Sequence, residues 1–356
     1  MRALRYHGIH DLRVDYDVPE PECGDDQIKV KPAFVGICGT DLHEYNSPTF
    51  VPTKEHPHPI TKETMPVVLG HEFSGTVLEI GSKVKTELKV GDRVAVQPTI
   101  SCFECGPCQD GYLNCCDKAG FIGLSGRGGG LSDAVCVGGD FVFKLADSTS
   151  LEIGALVEPL AIAWHAVEAS QVKPGDDALV IGAGPIGLGV IQCLKAQGAN
   201  QVFVAEVATE RQNFAKHFGA TDIFDPRVDD VVAKCKELTG GRGPQVALDC
   251  AGLAATVKSA CLSVRARGRV INTAICEKEL LFQPNNVIFG EKTYSGVLGY
   301  QHKDYQGVIN AIGKGDMKPE KMITGKISID RVVEDGFQPL IHDKNNHVKI
   351  LVDLSK

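Results

Sequence analysis

Short alternating runs of apolar and polar residues dominate the first 150 positions of the chain. Gln27-Ile-Lys-Val-Lys, Gly75-Thr-Val-Leu-Glu-Ile and Asp92-Arg-Val-Ala-Val-Gln each put every second side chain on one face, which predicts half-buried strands. Gly81, Gly91 and Pro98 punctuate these runs, so the segment reads as an irregular β-rich domain. Between 151 and 170 the pattern turns helical, with a break expected at Pro159. From 177 to 299, strand-like runs at Ala178–Ile181, Gln201–Ala205, Val246–Cys250, Arg269–Asn272 and Tyr294–Leu298 alternate with helical stretches such as Glu210–Gly219 and Val231–Leu238. That alternation predicts an α/β domain with a doubly wound parallel sheet. The tail, 300–356, adds a helix over Tyr305–Ile312 and a strand over Val348–Val352.

A chain of 356 residues exceeds the usual size of one hydrophobic core, so two domains are expected. No apolar stretch approaches the roughly 18 residues of a membrane span, and Met1–His7 holds no apolar signal region, so a cytoplasmic location is expected. A net charge of −8 without a basic run argues against nucleic-acid or anionic-membrane partners. In a reducing compartment thirteen cysteines are not a disulfide framework. Cys193, Cys235, Cys250 and Cys261, each alone in an apolar or amphipathic segment, read as small buried hydrophobes.

The remaining cysteines carry chemistry. Cys38 opens Cys38-Gly-Thr-Asp-Leu-His43, and His71 and Glu72 follow in Gly70-His-Glu. Glu158 sits in Val157-Glu-Pro-Leu-Ala, where a carboxylate inside an apolar stretch needs a partner or a metal. A lone histidine is usually a structural residue, but a thiolate, an imidazole and carboxylates together suit zinc with one position left open. Cys102, Cys105 and Cys108, spaced by two residues, and then Cys115 or Cys116 give four thiolates in one loop, a closed structural zinc site. A redox cysteine pair would need a thioredoxin-like βαβ context, which is missing here. The strand Ala178–Ile181 runs into Gly182-Ala-Gly184-Pro185-Ile186-Gly187, the cradle for a dinucleotide pyrophosphate. Glu206 ends the next strand, where a carboxylate accepts from ribose hydroxyls and repels a 2′-phosphate, selecting NAD over NADP. Thr273-Ala274-Ile275 and Val297-Leu298-Gly299 end later strands and should line the nicotinamide side. Lewis-acid metal and nicotinamide together mean alcohol–carbonyl hydride transfer.

These motifs, in this order and over essentially the whole chain, resemble the zinc-dependent medium-chain alcohol dehydrogenases. The resemblance implies a GroES-like β-rich catalytic domain over 1–157, completed by 300–356, and a Rossmann NAD-binding domain over 158–299. It implies that Cys38, His71 and Glu158 are the catalytic zinc ligands, with Glu72 a supporting residue or an alternating ligand. It also implies that Thr40 and His43 relay protons and that Cys116 rather than Cys115 completes the structural site. Arg211 matches a basic residue that contacts the ribose in relatives. The runs Gly120-Phe-Ile-Gly-Leu-Ser-Gly and Val157–Val167 resemble the diol-oxidising branch, implying a small vicinal diol such as butane-2,3-diol and its hydroxyketone, acetoin, as substrates. Sorbitol-type relatives carry an Arg-Tyr pair where this chain has Gly299-Tyr300, which removes an anchor for a long polyol. Tyr300, Trp164 and Phe50 are candidate pocket walls. The alternatives are a polyol or L-threonine 3-dehydrogenase and, more remotely, a non-catalytic NAD-binding structural protein, although such proteins usually lack the ligands and relay present here. Relatives form homodimers or homotetramers through the cofactor domain, so an oligomer is expected.

Overall fold

The alternating runs of the first segment pair mainly into antiparallel sheets around one long strand, Gln27–Gly36. In the computed structural model, which describes residues 1–276 and 278–355, that strand pairs with Glu72–Ile80, Val135–Gly138 and Lys349–Asp353, all antiparallel. Arg93–Val96 and Val142–Lys144 extend the sheet on one side, and Ile323–Ser328 on the other. The strand continues beyond Lys31, where the sequence pattern stopped, because the register shifts between Pro32 and Phe34, so proline's missing donor falls at an irregularity. Ile28, Val30, Val35, Phe73, Val94 and Val352 meet in the core this sheet covers.

Gly36 lies opposite Glu72 in register and next to Leu351 on the other flank. A Cβ there would run into the Glu72 carboxylate, so the glycine is required by close approach and not by backbone freedom. The chain leaves this strand and turns at Cys38 into the helix Gly39–Asn46. Cys38 donates its backbone N–H to Asp41 Oδ2 at 2.8 Å, closing the helix start.

The helical stretch after 150 is not broken at Pro159 as expected. Helix Leu151–Gly154 ends first, and a second helix, Val157–Ser170, runs through the proline. Pro159 falls in the first turn, where backbone donors have no intrahelical acceptor, so its missing N–H costs nothing there.

The chain divides into two compact units. One comprises Met1–Glu158, Gln301–Gly313 and Ile323–Lys356, and the other Pro159–Tyr300 and Lys314–Met322. The second holds a six-stranded sheet, parallel throughout, in the order Asp222–Phe224, Val202–Ala205, Ala178–Ile181, Val246–Asp249, Arg269–Asn272, Thr293–Gly296. Strand order reverses between Ala178–Ile181 and Val246–Asp249, the crevice where such sheets bind dinucleotides. The sequence pattern missed Asp222–Phe224, whose three residues are too few to show a period. Among the described residues, no helix is long and apolar enough to cross a membrane.

Candidate active site and metal centres

In the first unit, ligand atoms of Cys38, His71 and Glu72 all lie within 4.8 Å of one another. Small rotamer adjustments would close that span onto zinc bonds of about 2.0–2.3 Å, and sulfur, imidazole and carboxylate are zinc's preferred donors. Cys38 is placed by the strand-to-helix turn. His71 is placed by Gly70, whose φ of +94° and crowding by Val35 and Leu131 leave no room for a side chain. The His71 ring is buried, with Nδ1 3.4 Å from Asp41 Oδ1. Burial disfavours its charged form, but the charges and hydrogen bonds of Asp41 and Cys38 outweigh that and hold its pKa well above the ordinary histidine value. Asp41 therefore ties both members together, one oxygen on the Cys38 amide and the other facing His71. Such a carboxylate orients a ligating imidazole.

Glu158 is buried in the first turn of Val157–Ser170, outside the three-residue cluster, and its charge acts on Lys349 and Tyr305. Glu72 is held differently. Lys349, itself 2% exposed, donates to Glu72 Oε1 at 2.5 Å, to Oε2 at 2.6 Å and to the Ile37 carbonyl at 3.2 Å. Burial works against the ammonium, yet Glu72 and Cys38 raise its pKa above the usual lysine value. Sequence reasoning missed both Asp41 and Lys349. The signals were present: Asp41 stands three residues after Cys38, at a capping position, and Lys349 interrupts an otherwise apolar strand.

Thr40 Oγ1 is 3.7 Å from Cys38 Sγ. His43 is half exposed, its Nδ1 3.5 Å from Thr49 Oγ1. Glu44, fully buried, accepts the amides of Thr49, Phe50 and Val51 and fixes the following loop. The Phe50 ring is 6.1 Å from Phe121, which is 6.4 Å from the His71 ring, so aromatic surface leads up to the cluster.

Cys102, Cys105, Cys108 and Cys116 gather into a second cluster. Sulfur pairs lie 4.0 Å apart for Cys102–Cys108, 3.9 Å for Cys105–Cys116 and 3.5 Å for Cys102–Cys116. A tetrahedron with zinc–sulfur bonds of about 2.3 Å has edges of about 3.8 Å, so these residues fit the ion. Cys115 is exposed and outside the cluster. Backbone N–H groups of Glu104 and Cys105 lower the Cys102 thiol to about 6, while burial pushes Cys108 up to about 12. Four crowded sulfurs cannot all become thiolates without a cation among them.

In the second unit, Gly182 adopts φ +90° and Gly187 packs against the Gly182 carbonyl, making the tight turn. Gly184 and Pro185 begin the helix Pro185–Ala196, which also carries Ile186. The Arg211 guanidinium lies beside Gly184, 3.7 Å from where its Cβ would stand. Glu206 is 6% exposed and braces this turn: Oε2 accepts from the Ala183 amide at 2.7 Å and Oε1 from the Ala208 amide at 2.8 Å. Thr273 hydrogen-bonds the Asp249 carbonyl through both its N–H and its hydroxyl, while Ala274 packs near Gly252 and Ile275 is exposed. Val297 donates to Asn272, Leu298 is exposed, and Gly299 has φ +55°. Tyr300 is buried and Trp164 half-buried.

Residues 24–147 match the alcohol dehydrogenase GroES-like domain, and residues 185–314 match the zinc-binding dehydrogenase domain. The chain belongs to the zinc-binding medium-chain alcohol dehydrogenases, oxidoreductases of CH–OH groups that use zinc and NAD. Over 353 residues, 99% of each chain, it is 42% identical to (R,R)-butanediol dehydrogenase of Bacillus subtilis (strain 168). It is 37% identical to (R,R)-butanediol dehydrogenase of Saccharomyces cerevisiae, covering 99% of this chain and 98% of that one. The crystal structure of 2R,3R-butanediol dehydrogenase from Bacillus subtilis superposes with a TM-score of 0.92 at 41% identity, covering 99% of both chains. The expected fold class, a GroES-like domain plus a doubly wound Rossmann domain, is borne out.

Proposed function

We propose that this dehydrogenase oxidises a small vicinal diol to its α-hydroxyketone and catalyses the reverse reaction, with butane-2,3-diol and acetoin as the leading pair and NAD as hydride acceptor. Full-length likeness to two butanediol dehydrogenases carries this reading. Gly299, in place of the arginine of sorbitol-type enzymes, supports a short substrate over a polyol. The first unit serves as catalytic domain and the second as cofactor domain.

Cys38, His71 and Glu158 would hold the catalytic zinc, with Glu72 in reserve, and Cys102, Cys105, Cys108 and Cys116 would hold the structural one. Zinc bound in the open site would supply Lewis acidity to the substrate oxygen, and a bound nicotinamide would supply the hydride acceptor or donor. Thr40 Oγ1 accepts the substrate's proton and His43 passes it to water. The two residues stand three apart on one helix and so share a face, and His43 is half exposed. The turn Gly182–Gly187 with Pro185 and Ile186 cradles the pyrophosphate, Glu206 and Arg211 engage the ribose, and Thr273–Ile275 and Val297–Gly299 flank the nicotinamide.

The chain forms homodimers or homotetramers through the cofactor domain. In support, the edge strand Thr293–Gly296 is exposed along its whole length, and Leu281, Ile288, Phe289 and Leu298 add exposed apolar surface in the same unit. Thirteen cysteines with no disulfide between them among the described residues support a cytoplasmic location.

The test is NADH formation with each stereoisomer of butane-2,3-diol beside sorbitol, xylitol and L-threonine. A butanediol isomer should give the highest kcat/KM. A polyol or threonine exceeding it would overturn the substrate assignment, and no turnover with any of them would remove the activity altogether.

A further inference from the structure

Two of the thiols stand together, away from both metal clusters. Cys136 lies in the strand Val135–Gly138, and Cys23 in the irregular segment that leads into Gln27–Gly36. The two strands pair antiparallel, with Cys136 opposite Lys29 and Gly138 opposite Gln27. The segment before Gln27 folds back over this pairing, where the Cys23 thiol donates to the Gln27 carbonyl at 3.4 Å. From the other side the Cys136 thiol donates to the Glu22 carbonyl at 3.5 Å, the oxygen of the peptide bond that joins Glu22 to Cys23. The Pro21 carbonyl lies 4.0 Å from the same sulfur. Both thiols therefore share one short stretch of backbone, and Cys23 acts on Cys136 directly through charge and hydrogen bonding.

Their surroundings differ from those of Cys193, Cys235 and Cys261, which are sealed at 0% exposure in the second unit. Cys23 is half-buried, and Cys136 forms part of the wall of a cavity of about 580 Å³ that Pro21, Glu22 and Gln27 also line. A small solute can thus reach both sulfurs. Burial pushes the Cys136 thiol up to about 11, which keeps it protonated near neutral pH, so the more accessible Cys23 reacts first. The segment itself is held by exposed or partly exposed contacts: Glu20 pairs with Lys29, the Met1 ammonium donates to the Val18 carbonyl at 2.6 Å, and Tyr16 donates to Asp330 at 2.9 Å.

We propose that Cys23 and Cys136 form a reversible disulfide-exchange site, whose reaction partner is a low-molecular-weight disulfide such as oxidised glutathione. The Cys23 thiolate attacks one sulfur of the small disulfide and expels its other half as a thiol. Cys136 gives its proton to water, attacks Cys23 Sγ and expels the second half. Two protein thiols lose two electrons, and one small disulfide is reduced to two thiols. A reducing compartment holds the pair open. A shift toward oxidised thiol closes it, ties the segment before Gln27 to Val135–Gly138, and fastens about 110 residues of chain into a loop.

The test equilibrates full-length, zinc-loaded protein in glutathione buffers from fully reduced to fully oxidised. Remaining thiols are blocked, and peptides are mapped by mass spectrometry without reduction. A peptide joining Cys23 to Cys136 should appear in oxidised buffer and vanish with excess reduced glutathione. Zinc content should stay constant, because neither sulfur belongs to a metal cluster. Closing so long a loop should raise the melting temperature by at least ~5 °C. Cys23→Ser, a near-isosteric change at a half-buried position, should abolish both the linked peptide and the thermal rise, and Cys136→Ser should do the same. A stable glutathione adduct on Cys23 without the linked peptide overturns the proposal. So does a linked peptide that appears only after zinc is lost, or an undiminished thermal rise in Cys23→Ser.

Discussion

Glu206 gives the sharpest quantitative test of the cofactor site. Its two oxygens accept the amides of Ala183 and Ala208 at 2.7 and 2.8 Å, so the carboxylate is pinned to the glycine turn and cannot swing away from an incoming phosphate. A 2′-phosphate placed on the adjacent ribose would bring like charges to about 4 Å. Each unit pair at that distance is worth about 1 kcal/mol in water and about 4 kcal/mol at the dielectric of a protein surface. Taking about 3 kcal/mol for a partly screened cleft, with ~1.4 kcal/mol per decade, wild type should favour NAD over NADP by about 10²-fold in kcat/KM. Glu206→Ser removes the charge and both braces. Discrimination should then fall to within about ten-fold, NAD should weaken through the lost ribose contacts, and a contact between Arg211 and the phosphate is no longer opposed by the carboxylate. Hydrogen bonds to a charged group contribute about 1.5–3 kcal/mol each, so the denaturant midpoint should also drop by an amount equivalent to at least ~2 kcal/mol. Initial rates with both cofactors and a urea titration measure all of this. Comparable efficiency with NADP in the unmodified enzyme would refute the role of Glu206 and of Arg211 together.

The two metal centres should separate by mutation. Cys38→Ser should lose one of two zinc ions and nearly all activity while staying folded, whereas Cys105→Ser should lower the melting temperature by at least ~6 °C, because structural zinc contributes directly to folding and each kcal/mol moves a domain of this size by about 2–4 °C. Metal analysis finding fewer than two ions per active chain contradicts this. His43→Gln should slow turnover about ten- to hundred-fold near neutral pH, with the loss shrinking as solvent base takes over at higher pH; a profile parallel to wild type removes His43 from the relay. Tyr294→Lys places a charge on the exposed edge strand and should shift sedimentation toward the monomer, and an unchanged oligomer would put the interface elsewhere.

What was legible in the sequence was local. The strand Ala178–Ile181 and the helix Val231–Leu238 fall where their apolar spacing put them, because each buries its own periodic face. The four-cysteine loop was legible because its ligands lie within fifteen residues of chain. What escaped depends on contacts between distant segments. Lys349 looked like one polar residue in an apolar strand, and only the pairing of strands on either side of Gln27–Gly36 brings it to Glu72, 277 positions away in the chain. The break expected at Pro159 failed for another reason: proline's penalty depends on its place in the helix, and the sequence did not mark where the first turn began.

The crowding at Gly36 couples three positions that lie far apart in the chain. An alanine there would drive a methyl into the Glu72 carboxylate, so that step is open only to a chain whose residue 72 has already shortened. A shortened residue 72 no longer reaches Lys349, and the lysine then becomes a buried charge without its partner. A side chain at 36 is therefore tied to a shorter residue at 72, and a shorter residue at 72 to a change at 349. A library that randomises one of these sites at a time would miss substitutions that are tolerated only in combination.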